Sequence, residues 1–344
     1  MRERQEGFTL IEFSVCSLAT MLMLAATFTL MNSLFTANSG MTDIMATQTN
    51  IRVAINTIAR DITIAGTGLP TGSVELPNGT GAAAIIRPGM SSFSAPGRNI
   101  NAPNDALPFL SPGDGAGPTV SNVTDALTIF TVDQQTPTWT VSAVALFSDR
   151  YEVTFTQSVN AGAMLLKPGD LLLFNNTNGS ILACVSDIST VTTAKAFFRA
   201  TDLMGINQPA VSGGNLGSLS STVPPSSSYP PTTAIRINLI NYFISTANAS
   251  HPRLMRAVNA EAAQVMAADI ENLQFSYDTF DYNSEVQTSD QANPAAPNQI
   301  RAALIAVTGR SPDRLKNTNN YYRFQLVSKI NVRNSTFRNR YAGS

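Results

Sequence analysis

The sequence has few charged residues, two cysteines and a single histidine. Asp, Glu, Lys and Arg together make up 13% of its 344 residues, about half of the share that is usual in soluble domains. The net charge of -1 lacks the excess of Lys and Arg with which a nucleic-acid-binding protein neutralises phosphates. We therefore expect no nucleic-acid partner, although a small basic patch stays compatible with this composition.

The scarce residues also exclude several kinds of chemical site. The single histidine, His251, excludes a zinc site built from several histidines, and Cys16 and Cys184 lack the close spacing of metal-binding cysteines. No glycine-rich phosphate loop follows a predicted strand. A Ser-His-Asp arrangement stays possible, because its members need not be close in sequence, but a lone histidine beside Pro252 is more often structural. We therefore expect no catalytic residue, no metal and no cofactor, and we do not expect an enzyme.

Two polar segments contain candidate binding residues, but we expect these segments to be a solvated loop and a solvated strand end. The segment DTFDYNSE has oxygen-bearing side chains that suit calcium, but their spacing is not that of an EF-hand loop. They are Asp278, Asp281, Asn283 and Glu285. The C-terminal segment has basic and aromatic side chains that a DNA-contacting surface could use. They are Lys329, Arg333, Phe337, Arg338, Arg340 and Tyr341.

Long hydrophobic runs are also rare, and the one that exists is near the start of the chain. No charged residue occurs between Glu12 and Asp43. This uncharged run is longer than the ~20 residues that span a bilayer as a helix. A buried soluble helix of this length would have a charged face. A removable secretory signal would be shorter and would end in a small-residue cleavage site. A lipoprotein signal would have a small residue directly before its cysteine, whereas Val15 precedes Cys16 here. These features favour a membrane-spanning helix, and if the run lies in a membrane, Cys16 cannot meet Cys184 to form an intrachain disulfide.

The residues before this run form a recognisable pattern. The order Gly7, Phe8, Thr9, Leu10, Ile11, Glu12, quoted as GFTLIE, resembles the prepilin signal of type IV pilins and pseudopilins. The resemblance implies that a membrane-bound prepilin peptidase removes residues 1–7 as a leader by cutting after Gly7, and that Phe8 is then N-methylated. The leader is less basic than is usual in that family, because it contains Glu3 and Glu6 beside Arg2 and Arg4.

The resemblance also implies a role for Glu12 in assembly, in which its carboxylate pairs with the N-terminal amine of a neighbouring subunit. A charge at the centre of a membrane costs at least ~2.5 kcal/mol, whereas two opposite charges ~4 Å apart gain about 4 kcal/mol at an effective dielectric constant of 20. After cleavage Glu12 would be the fifth residue, about 6 Å along the helix from the new amine. The partner could therefore be the amine of the same chain or of another subunit. The alternative is a carboxylate that extends to the membrane surface without a partner.

The helix is expected to continue beyond the membrane. Ile44, Ile51, Ile55, Ile58 and Ile62 recur at helical spacing and predict an apolar face that packs on a β-sheet. Gly66 is expected to end the helix, and Gly40 is a potential weak point within it. The predicted segments are a membrane and polymerisation helix at 8–37 and an amphipathic continuation at 38–66.

The remainder, residues 67–344, is predicted to be a β-rich globular domain. Alternating segments such as YEVTFT and IENLQFSYD indicate strands, which occur in two clusters and could form one sheet or two. Residues 67–123 and 203–233 are expected to be loop-rich insertions, the first with one short strand near Ala84–Ile86. The segment AEAAQVMAADI is expected to be a short helix or a turn. The fold class is therefore α+β, with a mostly antiparallel sheet.

The later segments resemble, in the same order, those of PilW-type minor pilins, with the PulJ/GspJ pseudopilins as relatives. They include DALTIFTV, GDLLLFNN, NYFISTANASHPRLMR, IENLQFSYD, IRAALIAVTGRSPD and KINVRN. The resemblance implies a pilin-like fold and a subunit that initiates pilus assembly, with a position at the pilus tip. Its implied partners are other minor and major pilins, prepilin peptidase and the inner-membrane assembly platform.

The implied location is the inner membrane, crossed once with the globular domain on the periplasmic side, and later the pilus at the cell surface. Two alternatives stay open on sequence. One is a minor pseudopilin of type II secretion, similar to GspJ. The other is an adhesin or DNA-binding subunit carried by the pilus, which would use the loop-rich insertions as its binding surfaces.

Overall fold

The computed structural model describes one long helix followed by a region of antiparallel sheets. The described residues are 9–69, 73–76, 82–90, 98–103, 106–159, 165–189, 194–208, 215–221, 228–281, 283–316 and 318–333. Within these ranges the α-helix is α1, Leu10–Ile64. The strands are β1 (Ser73–Glu75), β2 (Ala82–Ile86), β3 (Asn99–Pro103), β4 (Ala106–Pro108), β5 (Leu110–Gly113), β6 (Ala126–Val132), β7 (Trp139–Leu146), β8 (Arg150–Phe155), β9 (Leu171–Asn176), β10 (Gly179–Cys184), β11 (Asp187–Ile188), β12 (Lys195–Arg199), β13 (Thr232–Ser245), β14 (Arg253–Val258), β15 (Gln264–Ala268), β16 (Ile270–Asp281), β17 (Val286–Gln291), β18 (Ile300–Arg314) and β19 (Tyr321–Asn331).

The strands form two principal sheets, and every strand pair in the described residues is antiparallel. The larger sheet has eleven strands and is organised around β13, which pairs with β6, β7, β9 and β14. The smaller has four strands in the order β17-β16-β18-β19. Two separate ribbons pair β1 with β4 and β2 with β3. The α+β class with mostly antiparallel sheet is therefore confirmed.

The helix α1 has 55 residues and a length of about 82 Å at 1.5 Å per residue. It continues through Gly40 without a break. Beyond Gly40 its apolar face packs on the four-stranded sheet and the neighbouring β15. Five isoleucines were predicted to form the apolar face of the helix. The four from Ile51 to Ile62 are buried, and Ile44 is half-buried. The predicted apolar face of the helix is thus confirmed.

Two glycines fix how the helix meets the sheets. At Gly309 in β18, an added Cβ would lie 2.9 Å from Ile51, so that glycine allows α1 to approach the sheet closely. Gly66 ends the helical region with φ +70, and an added Cβ there would lie 2.2 Å from the Phe109 ring. The Gly66 amide donates to the Phe130 carbonyl of β6 at 2.8 Å, which attaches the end of α1 to the larger sheet.

Two buried apolar clusters form most of the core. The first lies between α1 and the sheets and extends from Ile51 to Val332. The second lies on the other part of the larger sheet and is rich in aromatic rings. In it, Trp139 lies 6.3 Å from Phe155, and Phe174 meets Phe198 edge-on at 5.4 Å between ring centroids.

Several details of the loop predictions were wrong. Residues 67–123 contain the strands β1 to β5 rather than a single short strand. The segment AEAAQVMAADI contains β15, because pairing with β14 overrides the helical propensity of its alanines. In the second loop-rich range, 203–233, the described residues include a 3₁₀ turn at Asn215–Leu219 and the start of β13.

Candidate functional site

The first half of α1 exposes an apolar surface on all its sides. Every residue from Thr9 to Phe35 is exposed. The helix is long and apolar enough to cross a membrane. Its large exposed side chains are Leu10, Ile11, Phe13, Val15, Leu18, Met21, Leu22, Met23, Leu24, Phe28, Leu30, Met31, Leu34 and Phe35. A soluble monomer does not expose so large a continuous apolar surface, so this part of α1 requires lipid or other apolar helices around it.

The hydroxyl groups in this segment are satisfied by the helix itself. Each serine and threonine from Ser14 to Thr36 donates to a backbone carbonyl one turn earlier, as Thr20 does to the Cys16 carbonyl at 2.7 Å. In a membrane an unsatisfied hydroxyl would cost several kcal/mol, of the order of 2–7. These residues therefore impose no need for an external hydrogen-bond partner, and the ionisable group that remains in the segment is Glu12.

Glu12 lies in the first turn of α1 and forms a capping box with Thr9. The Thr9 amide donates to the Glu12 carboxylate at 3.0 Å, and the Thr9 hydroxyl donates to the same oxygen at 2.9 Å. The Glu12 amide in turn donates to the Thr9 hydroxyl at 3.3 Å. The carboxylate therefore points back towards the N-terminal end of α1. Gly7 and Phe8 themselves lie outside the described residues.

A second polar group connects the helix to the globular region. The Asp61 carboxylate is buried and accepts a hydrogen bond from the Tyr242 hydroxyl at 2.7 Å and from Arg256 Nε at 2.9 Å. Arg256 Nε also lies 3.1 Å from the Tyr242 oxygen. Burial, together with the negative charge of Asp61, raises the pKa of the Tyr242 hydroxyl, so the phenol stays protonated and donates to Asp61. Although burial alone would lower the pKa of Arg256, Asp61 raises it overall.

This triad of Asp61, Tyr242 and Arg256 was not predicted. The sequence contained one signal, because Asp61 lies on the same helical face as Ile58 and Ile62. An acidic residue on an otherwise apolar face requires a buried donor. The donors came from β13 and β14, which are far away in sequence, so their identity could not be inferred from the pattern around Asp61.

Several candidate residues for catalysis or metal binding form hydrogen bonds or ion pairs with neighbouring side chains. His251 Nδ1 lies 2.8 Å from the Asp269 carboxylate, and no hydroxyl or thiol bonds to the ring in the described structure. The described residues contain no group of three or more His, Cys, Asp or Glu side chains that could hold a metal ion. Asp278 pairs with Lys329, which lowers the pKa of that carboxyl. Asp281 accepts a hydrogen bond from Ser284, which lowers the pKa of the Asp281 carboxyl.

Both cysteines are free. Cys16 is exposed on the membrane-length part of α1, whereas Cys184 is buried at the end of β10. Burial raises the pKa of the Cys184 thiol, which therefore lacks the thiolate character of a reactive cysteine. Of the basic C-terminal residues, Lys329 and Arg333 are described, and Arg338, Arg340, Phe337 and Tyr341 lie outside the described residues.

The site therefore consists of an exposed apolar helix with one carboxylate at its start and a globular region fastened to its second half. Comparison of the chain with protein-family models, with curated proteins and with solved structures found no match.

Proposed function

We propose that this chain is a minor type IV pilin of the PilW type, which is cut after Gly7, N-methylated on Phe8 and assembled into the pilus at or near its tip. The observation that carries the proposal is the order GFTLIE at the start of a helix that is apolar on all sides. A membrane anchor alone needs neither a carboxylate in its first turn nor a glycine directly before its apolar run. A processed polymerisation helix uses both.

The exposed surface of α1 supports assembly through this helix. In the membrane, lipid chains cover the apolar side chains from Leu10 to Phe35. When the subunit leaves the membrane, the same side chains must be covered by the helices of neighbouring subunits, because exposure to water costs roughly 25 cal/mol for each Å² of apolar surface. The globular region does not interfere with this packing, since it contacts only the later part of α1.

The capping box supports a specific role for Glu12. Consecutive backbone nitrogens are at most ~3.7 Å apart, so the Phe8 amine produced by cleavage would lie close to the Thr9 amide that Glu12 already binds at 3.0 Å. We infer that the carboxylate is held within its own chain before assembly. It then exchanges to the amine of a neighbouring subunit, where the pair is enclosed by apolar helices and is screened much less than at a surface.

The proposed partners and location follow from this role. Prepilin peptidase would act on Gly7 and Phe8, and the inner-membrane assembly platform would extract the subunit. Other minor and major pilins would pack against the first half of α1. The chain would cross the inner membrane once, with its globular region in the periplasm, before it is displayed with the pilus at the cell surface.

A charge-specific substitution tests the assembly role. Glu12→Gln removes the charge but keeps an oxygen that can cap the helix, whereas Glu12→Ala removes both. We expect both variants to be inserted and processed, and to be recovered in sheared filaments at least tenfold less than the wild type. Thr20→Ala is the matched control, because its hydroxyl bonds only to its own helix and its loss should leave recovery unchanged. Normal recovery of Glu12→Gln would refute the pairing of this carboxylate with an amine.

A further inference from the structure

A groove of about 670 Å³ lies where α1 leaves its membrane-length part. We call it the hairpin groove. One wall is the stretch of α1 from Asn32 to Ile44, and the other is the tip of the β18–β19 hairpin from Asp313 to Lys316. Its volume lies within the range of sites that hold small molecules, about 300–1,000 Å³.

The hairpin tip lies beside the helix at Gly40. A Cβ added to Gly40 would lie 3.6 Å from Leu315 Cδ2, so the leucine is adjacent to the helix with room for a methyl group between them. Within the tip, the Leu315 amide donates to the Asn320 carbonyl at 2.9 Å, and the Asn319 amide donates to the Leu315 carbonyl at 2.7 Å. The tip therefore has a defined position along α1.

That position is the height at which lipid headgroups lie. A hydrocarbon layer of about 30 Å takes up ~20 helical residues, and each headgroup layer adds roughly 5–7 Å. If the hydrocarbon begins beside Glu12, it ends near Asn32, and the headgroups extend to about Ala37. The start of the helix wall of the hairpin groove then lies among the headgroups. The hairpin tip lies just outside the headgroup layer, on the side away from the centre of the bilayer.

The groove has two positive and two negative side chains. Arg314 and Lys316 are exposed on the hairpin, Asp313 is exposed beside them, and Asp43 is half-buried on the helix. Among the described residues none of the four forms an ion pair. Arg314 donates to the Asn319 carbonyl at 3.4 Å and lies 5.5 Å from the Tyr321 ring centroid, and neither contact neutralises its charge. Long Lys and Arg side chains can extend towards a membrane surface.

We propose that the hairpin groove binds the headgroup of a phospholipid that carries a phosphate and a primary ammonium, such as phosphatidylethanolamine. The phosphate would contact Arg314 and Lys316, since Arg in particular binds phosphate oxygens through paired N–H groups. The ammonium would donate to Asp43 and Asp313. A choline headgroup has no N–H donor for these carboxylates, and a glycerol headgroup carries a net negative charge that they would repel.

A bound headgroup would hold the globular region at one height and orientation above the membrane until the subunit is extracted. The inference depends on membrane insertion of α1 and not on pilus assembly. Failure to enter a bilayer would refute insertion. A subunit that enters bilayers but shows no headgroup preference would refute the groove's role and leave the proposed function intact.

The test uses the full chain in lipid nanodiscs that contain equal amounts of phosphatidylcholine, phosphatidylethanolamine and phosphatidylglycerol with identical acyl chains. Native mass spectrometry measures which lipids stay bound when the protein is released. We expect the wild type to retain phosphatidylethanolamine at least fivefold more than either other lipid. Arg314→Gln with Lys316→Gln should abolish this preference. The double variant Asp43→Asn with Asp313→Asn should lower the retention of phosphatidylethanolamine to that of phosphatidylcholine.

The matched control is Arg52→Gln with Arg60→Gln, which removes two exposed positive charges of α1 outside the groove and should leave retention unchanged. Circular dichroism checks that each variant is folded. Equal retention of the three lipids, a preference for phosphatidylglycerol, or the same loss in the control would overturn the proposal. A dimer without lipid that the hairpin variants dissociate would show instead that the groove binds protein.

Discussion

Removal of the Asp61 carboxylate should destabilise the attachment of α1 to the globular region. The side chain of Asp61 is 8% exposed, and it is the acceptor for both the Tyr242 hydroxyl and Arg256 Nε. In Asp61→Ala the fully buried Tyr242 hydroxyl loses its acceptor, and Arg256 loses its counter-ion. An orphaned buried donor costs about 1–3 kcal/mol, and breaking a fully buried ion pair costs about 3–5 kcal/mol.

Because the Arg256 side chain is 27% exposed, water partly replaces its lost partner, so the lower part of that range applies. We expect Asp61→Ala to lower the free energy of unfolding by about 3 kcal/mol, and Tyr242→Phe to lower it by about 1.5 kcal/mol, the lower end for a hydrogen bond to a charged group. In the Asp61→Ala background, Tyr242→Phe should cost less than ~0.5 kcal/mol, since the hydroxyl has already lost its acceptor.

The assay is urea unfolding of the full chain in detergent, followed by the fluorescence of Trp139, the single tryptophan, which is fully buried. Asn56→Ala is the control on the exposed face of the same helix and should change stability by less than ~0.5 kcal/mol. The reasoning would be refuted by a loss below ~1 kcal/mol in Asp61→Ala. Equal costs of Tyr242→Phe in both backgrounds would also refute it.

Two further predictions concern the helix end and the acidic hairpin. Gly66→Ala should destabilise by at least ~2 kcal/mol, because alanine is strained at φ +70 and its Cβ would collide with Phe109. Gly40 lies within the helix, and an added Cβ would fit there without a clash. Gly40→Ala should therefore be neutral or stabilising by up to ~1 kcal/mol. Melting temperatures that fall equally in the Gly66 and Gly40 variants would contradict this contrast. Lys329 lowers the pKa of Asp278, so their pairing stabilises the fold above the usual aspartate pKa and is lost as the pH falls through the lowered value. The melting temperature of Asp278→Asn should therefore fall less than that of the wild type between neutral and acidic pH, and an equal fall would contradict the pairing.

Local patterns predicted the elements whose residues lie close together in sequence. The isoleucine spacing located the buried face of α1, and Gly66 marked its end. The alternation in YEVTFT indicated β8, in which buried and half-buried residues alternate. In each case the side-chain period is sufficient to define the structure.

Contacts between distant segments could not be predicted in the same way. The strand β5 pairs with β6 despite containing Pro112 and Gly113, and its existence depends on the partner strand. The strand β15 has an alanine-rich sequence whose helical propensity is overridden by β14. The Asp61 triad and the hairpin groove both combine α1 with residues about 180 to 280 positions later, a separation that periodicity within one segment does not reveal.

The measurement that tests the central claim most directly is mass spectrometry of the N-terminal peptide of the mature protein, isolated from the membranes of cells that have prepilin peptidase. The proposal predicts that the chain begins at Phe8 and carries one added methyl group on its amine. A Gly7→Ile variant should keep the full leader, because the proposed cut follows Gly7. An intact Met1 in the wild type, or a mature terminus near residue 30, would contradict the proposed processing.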